Sequence, residues 1–191
     1  MGAEWRDCIV TMIDLPGVKK GASDPTLGSG LMRQLHKLMV HELSGDFTTV
    51  SHAYAWNDSV LLLSFVDAGQ ESFVAAMRDA DALKRRVDQL RKSYAVAVKG
   101  RTFPVAHASG GQPPAGRVTV LEASSWAMAN CFQIEKTLGK LRASWYIDGR
   151  IVRKLGARVG PSQKHKVELF PSGKPRVVHT YSGYLWSAGE V

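Results

Sequence analysis

The order in which hydrophobic periodicity changes along the chain restricts its possible folds more than any other feature. Residues 7–14, Asp-Cys-Ile-Val-Thr-Met-Ile-Asp, form a short apolar run ending in a carboxylate and read as a buried strand. Pro16 and Gly17 follow at once and cannot continue a central strand, so the chain turns there. From Pro25 onward Leu27, Leu31, Leu35, Leu38 and Met39 recur at three- and four-residue steps, which predicts a helix that Gly45 ends. Phe47 to Trp56 and Val60 to Val66 are two extended segments, with Asn57-Asp58 between them as a hairpin turn. Phe73, Met77, Leu83, Val87 and Leu90 place one apolar stripe on a helix from Gln70 to Lys92. Further strands are predicted at Phe103 to Ala108 and Val118 to Leu121, joined by the Gly- and Pro-rich stretch Ser109 to Gly116, and a helix at Trp126 to Leu141. The resulting order, β-α-β-β-α-β, is that of an α+β ferredoxin-like fold, in which helices cover one face of an antiparallel sheet. After Ser144 the pattern breaks into short segments punctuated by Pro161, Pro171, Gly173 and Pro175, which predicts additional C-terminal strands.

At 191 residues the chain fits a single domain, with a core over about residues 7–142 and an extension over 143–191. The run Val60 to Val66 is far too short to cross a bilayer, and the first residues lack the basic and apolar regions of a secretory signal. A cytoplasmic location, away from membranes, is the expectation. Cys8 and Cys131 alone give neither a disulfide framework nor a cysteine zinc site, and the six histidines show no paired zinc spacing. No nucleophile elbow supports Ser-His-Asp catalysis. The net charge of +8 is concentrated late: residues 133–191 hold 11 Lys and Arg against 4 Asp and Glu. A basic half suits an anionic partner, or simply solubility. Within it, Lys164 to Trp186 interleaves basic and aromatic residues, which fits a nucleic-acid contact or, the stronger reading, a β-hairpin closing a dimer.

Two carboxylates stand out by position. In a ferredoxin-like sheet the first and third strands are central neighbours, so Asp14, ending the first strand, lies close to Asp58 in the hairpin. Two ionised carboxylates about 4 Å apart repel by about 4 kcal/mol at an effective dielectric near 20. A divalent cation removes that conflict, and hard ions such as Mg²⁺ and Mn²⁺ favour one or two carboxylates completed by water and phosphate oxygens. Either aspartate alone is equally at home as a turn or cap residue. Between them, Leu15-Pro16-Gly17-Val18 can turn backbone N–H groups toward an anion, and the helix from Pro25 adds a partial positive pole. Metal-binding carboxylates beside an amide cradle are the minimal equipment for phosphoryl chemistry on a nucleoside triphosphate.

These residues resemble a family. Asp14-Leu15-Pro16-Gly17-Val18 is similar to the Asp-x-x-Gly-Phe stretch that opens class III nucleotidyl cyclases. Ala55-Trp56-Asn57-Asp58 is similar to the Gly-Asp hairpin bearing their second metal-binding aspartate, and the spacing of 44 residues (58 minus 14) is also the family's. The likeness runs from about Cys8 to Glu135, and the compact stand-alone format most resembles the pyrimidine cyclases of bacterial Pycsar antiphage systems. It implies a homodimer with its site at the subunit interface, and two Mn²⁺ or Mg²⁺ ions held by Asp14 and Asp58 with the Leu15 carbonyl as an extra ligand. Pro16, Gly17 and Val18 would cradle the phosphates of UTP or CTP. The products implied are cyclic UMP or CMP, read by a separate effector, and pyrophosphate.

The match is uneven. Tyr54 stands where purine cyclases carry a base-reading lysine, and a phenol cannot serve as the same cationic donor, a departure that a pyrimidine substrate accommodates. If Met128 to Glu135 aligns with the family's helix start, Glu122 falls at a second base-reading acid. The transition-state asparagine and arginine then fall on Ala129 and Gln133, and Asn130 is one residue out of register, about 100° around a helix. Lys136, Lys140, Arg142, Arg150, Arg153, Lys154, Lys99 and Arg101 are the candidate replacement cations, each also an ordinary surface residue. That gap keeps open an inactive cyclase-like module that binds nucleotide or dimerises, and behind it a basic nucleic-acid-binding domain.

Overall fold

The structure is a computed structural model, and it describes residues 5–17, 25–45, 47–56, 58–102, 107–110, 118–121 and 125–187. In chain order its first elements are β1 (Arg6–Asp14), α1 (Pro25–Leu43), β2 (Val50–Trp56), β3 (Ser59–Phe65), α2 (Gln70–Leu90) and β4 (Tyr94–Thr102). A short pair follows, β5 (His107–Gly110) and β6 (Val118–Leu121), then α3 (Trp126–Leu138), which ends in a 3-10 turn over Gly139–Leu141. The chain continues through β7 (Trp145–Asp148), α4 (Gly149–Leu155), β8 (Gln163–Glu168) and β9 (Pro175–Tyr181). Seven strands form one sheet in the order β2-β3-β1-β4-β7-β9-β8, and β5 pairs with β6 separately. Every neighbouring pair is antiparallel except β4–β7, which is parallel.

The α+β ferredoxin-like core with added C-terminal strands is therefore as the sequence predicts, with one correction to its layers. Central strands are apolar on both faces, and successive side chains of β1 go to opposite sides. Ile9 and Ile13 pack with Leu35 and Met39 of α1, Phe73 and Met77 of α2, and Ile151 of α4. Val10 and Met12 pack instead with Cys131, Ile134 and Leu138 of α3. Three helices thus share one face, and α3 covers the other. That helix lies close to the sheet: a Cβ added at Gly100 would stand 2.6 Å from the Ala127 Cβ. Ser125 caps it, accepting from the Ala127 N–H at 3.1 Å.

Three other expectations shift. The fourth strand is Tyr94–Thr102, not Phe103 to Ala108, so Lys99 and Arg101 lie within it rather than before it. Residues 107–110, expected partly as loop, pair with 118–121. The stretch after Ser144 contains the seven-residue helix α4, capped by Asp148, whose side chain accepts from the Arg150 N–H. No helix among the described residues is long and apolar enough to cross a membrane.

The C-terminal segment is tied back onto α2 by a buried carboxylate. Asp81 is fully buried and accepts from the Trp145 indole at 2.9 Å, the Leu185 N–H at 3.1 Å and the Arg85 guanidinium at 3.0 and 3.1 Å. Arg85 also donates to the Trp186 carbonyl and lies over the Tyr184 ring at 4.0 Å. A buried charge persists only when so fully paired.

Candidate functional site

Strand register brings the two aspartates together. Asp14 is the last residue of β1 and sits between Ser59 on β3 and Tyr94 on β4. Asp58 immediately precedes Ser59, and its carbonyl accepts a hydrogen bond from the Leu15 N–H at 3.1 Å, stitching the turn after β1 to the hairpin. Both carboxylates line a cavity of about 340 Å³, shared with Met12, Pro16, Gly17, Ser59, Tyr94, Phe132, Glu135 and Gly139. Asp58 is only 8% exposed, unlike the solvated tip a hairpin turn usually presents: the turn after β1 is bonded to it.

The cavity is acidic and internally hydrogen-bonded. The Ser59 hydroxyl donates to Asp14 Oδ1, and the Tyr94 hydroxyl donates to Glu135 Oε1 at 3.2 Å. Burial holds the Asp14 carboxyl above its ordinary 3.8; hydrogen bonds from Ser59 and Tyr94 oppose this, and the charges of Asp58 and Glu135 add to it. Burial, with Asp14 and Glu135 alongside, also pushes the Tyr94 phenol up. A carboxyl raised in the folded state stabilises the fold fully below its unfolded value, and that contribution is lost as pH rises through the folded value. Removing the charge with Asp14→Asn therefore makes the ligand-free protein melt higher at neutral pH than the native chain. The gap closes as pH falls toward 4. Thermal melts from pH 4 to 8 check this; curves with the same pH dependence in both proteins would remove Asp14 as the strained group.

The donor set fits a hard divalent cation. Two carboxylates line one cavity, each gaining from an ion between them, and among the described residues neither Cys nor His lines it. Among the described residues no group of three or more His, Cys, Asp and Glu side chains is placed to enclose a metal ion. A cation on Asp14 and Asp58 would thus take its remaining ligands from water and substrate oxygens, as Mg²⁺ commonly does. Leu15 contributes its N–H to the hairpin and its side chain to the core.

Basic residues sit on the other side of the Pro16-Gly17 turn. A second cavity of about 540 Å³ shares Pro16, Gly17, Tyr94 and Gly139 with the first and is also lined by Lys92 and Arg142. Gly17 has φ +82°, and a Cβ there would lie 3.3 Å from Arg91 Nη2, so the turn needs glycine and the guanidinium lies against it. The Arg91-Lys92 turn is held by Asp88. One oxygen of that carboxylate accepts from the Ser93 N–H at 2.7 Å and hydroxyl at 2.6 Å. The other accepts from Lys84 and from the Tyr184 hydroxyl, both at 2.8 Å.

The remaining predicted residues divide. Tyr54 does not line either cavity, but it lies two strands from Met12 through the pairs Tyr54–Leu61 and Leu61–Met12, about 10 Å away on the same sheet face. Its hydroxyl is buried without a hydrogen-bond partner. Val18 and Glu122 lie outside the described residues, as does Asn57. Phe132 and Glu135 on α3 and Gly139 in the turn that ends it line the cavity, and Ala129 and Gln133 do not. Asn130 turns away: its amide donates to the Phe170 carbonyl at 3.0 Å and accepts from the Phe170 N–H at 2.8 Å. Of the candidate cations only Arg142 borders the site. Lys99 and Arg101 pair with Asp7 at the far end of β4, Arg150 pairs with Asp148, and Lys154 donates to the Ala68 carbonyl. Ser59, Tyr94, Glu135, Arg91 and Lys92 were not singled out from the sequence; the i, i+3, i+7 spacing of 132, 135 and 139 was the available signal for Glu135.

No protein-family model matches the sequence, and no curated protein matches it. Solved structures do, and they show the fold: the chain has the fold of a class III nucleotidyl cyclase domain. The guanylyl cyclase Cya2 is similar over 96% of this chain and 95% of its own, with TM-score 0.60 and 14% identity. The adenylyl cyclase CyaB from P. aeruginosa matches over 96% and 97%, with TM-score 0.61 and 8% identity. The guanylate cyclase domain of RhGC from Catenaria anguillulae, solved in complex with GTP, matches over 94% and 99%, with TM-score 0.56 and 11% identity.

Proposed function

We propose that this chain is a pyrimidine nucleotidyl cyclase that converts UTP or CTP to the 3′,5′-cyclic monophosphate and pyrophosphate. One observation carries the reading: within a cyclase fold, Asp14 and Asp58 open into one cavity, tied together by the Leu15 N–H to Asp58 carbonyl bond. In the reaction the ribose 3′-oxygen forms a bond to the α-phosphorus, the bond to the bridging β-phosphate oxygen breaks, and the 3′-hydroxyl proton is lost. Asp14 and Asp58 would hold two Mg²⁺ or Mn²⁺ ions, which when bound acidify the 3′-hydroxyl and offset triphosphate charge. The Pro16-Gly17 turn orients the phosphates. Arg142, Lys92 and Arg91 supply positive charge on the side where pyrophosphate leaves. Arg142 adopts φ 54°, and an L-residue in that region costs roughly 1 kcal/mol, a cost in keeping with a positioned side chain. The partnerless Tyr54 hydroxyl is the group that reads the base. The active form is a homodimer with its site at the subunit interface, and its product is a second messenger of a Pycsar-type antiphage system, read by a separate effector.

A second reading has its own support. Ala129, Asn130 and Gln133 do not supply an asparagine and arginine to the cavity, as an inactive nucleotide-binding module would also have it. Incubating the purified protein with each of the four NTPs and Mn²⁺ decides between them. The expected result is a cyclic product from UTP or CTP and little from ATP or GTP. No cyclic product from any nucleotide at high protein concentration would leave the inactive module.

A further inference from the structure

A separate groove lies at the other end of the strand that carries Tyr94. Along β4, Tyr94 pairs with Asp14 and Arg101 with Asp7. Seven residues at about 3.3 Å each put the two ends about 23 Å apart. The groove there measures about 500 Å³ and includes Trp5, Trp126, Phe170, Lys99, Arg101 and Arg176 in its lining. Trp126 and Phe170 stack with centroids 5.8 Å apart and planes inclined by 27°, forming one platform. The two residues nevertheless remain 55% and 45% exposed, and Trp5 remains 41% exposed. Asn130, 2% exposed, pins the platform through its two hydrogen bonds to the Phe170 backbone, so the rings are presented by a fixed support.

Charge at the groove is in surplus. Lys99 at 3.1 Å and Arg101 at 3.6 Å share the single Asp7 carboxylate, Arg176 adds a further cation, and Arg150, also in the lining, is balanced by Asp148. None of these groups lines the cavity of Asp14 and Asp58. Exposed aromatic faces flanked by excess cations provide base stacking with phosphate neutralisation. An acidic peptide would use the cations and leave the rings wet, whereas an apolar peptide would bury the cations unpaired. Phe170 and Arg176 also belong to the basic and aromatic segment 164–186, which the cyclase reading does not use.

We propose that this groove binds single-stranded nucleic acid, with a base stacked on the Trp126–Phe170 platform and adjoining phosphates on Arg101 and Arg176. The test titrates the full chain into fluorescently labelled RNA and DNA strands of about a dozen nucleotides, read by anisotropy across a salt series. Micromolar binding at low salt is expected, with log affinity falling linearly in log salt. Trp126→Ala and the double change Arg101→Glu with Arg176→Glu should each weaken it by about tenfold or more. Asp58→Ala should bind like the native chain, so failure of the cyclase reading and failure of this one are separable. Absence of salt-dependent binding, or native affinity in both groove variants, would overturn the proposal. So would full competition by free UMP at matched nucleotide concentration, which would mark a mononucleotide pocket. A change in sedimentation mass for Trp126→Ala without loss of strand binding would equally overturn it, by making the groove a contact between copies.

Discussion

Asp58→Ala is expected to lower the proposed cyclase turnover by about a thousandfold or more while the protein keeps its fold. The size follows from the proposed role: loss of one of the two carboxylates proposed to hold metal removes about 4 kcal/mol of transition-state stabilisation, and each 1.36 kcal/mol is a factor of ten. The intact fold follows from which atoms do the structural work. The bond that ties the hairpin to the turn after β1 uses the Asp58 carbonyl and the Leu15 N–H, both of which alanine retains. Removing a buried like charge beside Asp14 even relieves repulsion. Steady-state production of cyclic nucleotide, set beside a thermal melt of the same sample, measures both halves. Turnover equal to the native chain would reduce Asp58 to a turn residue and leave the convergence of the two aspartates without catalytic meaning.

Asp81→Ala gives the largest loss of stability, about 3–5 kcal/mol, because it leaves several buried partners unmatched. The Trp145 indole and the Leu185 N–H lose their acceptor inside the protein, and Arg85, mostly buried, loses its counter-charge. Against a usual total of about 5–15 kcal/mol this is a large fraction. Urea unfolding followed by tryptophan fluorescence reads the change directly. Asp81→Asn keeps an acceptor for the indole and loses the ion pair, so its loss is expected to be smaller. A loss under about 1 kcal/mol for the alanine variant would show that the segment carrying Leu185 and Trp186 is held by packing alone.

Much of the fold is legible in the sequence because several core elements announce themselves. β1 and β3 are continuous apolar runs bounded by aspartates, and α2 carries an unbroken stripe from Phe73 to Val87. β4 is the element the sequence conceals. Its interior is Ala95, Val96, Ala97 and Val98, and alanine is a weak strand former whose place here comes from burial between helices on both faces. Reading the fourth strand at Phe103 had a direct cost for the site. Tyr94 is the cross-strand partner of Asp14, and Arg91 and Lys92 lie just ahead of it, so misplacing the strand hid all three. α4 is also hidden, since seven residues that open on Gly149 and stop at Gly156 give periodicity too little length to register. Asn130 carries the opposite lesson. The helix around it was read correctly, but its role as a clamp on the Phe170 backbone depends on a segment 40 residues away.

The parallel β4–β7 joint sets a rule for anyone trimming this protein. Ala95, Val96 and Ala97 take Trp145, Tyr146 and Ile147 as their ladder partners. A chain cut near residue 142, where the ferredoxin-like unit looks finished, would present that ladder as a raw hydrophobic edge and invite sticking between molecules. Shortened versions must keep everything through Trp186, whose segment also closes the Asp81 network, so the smallest workable unit is set by hydrogen-bond closure and not by the apparent end of the ferredoxin-like half.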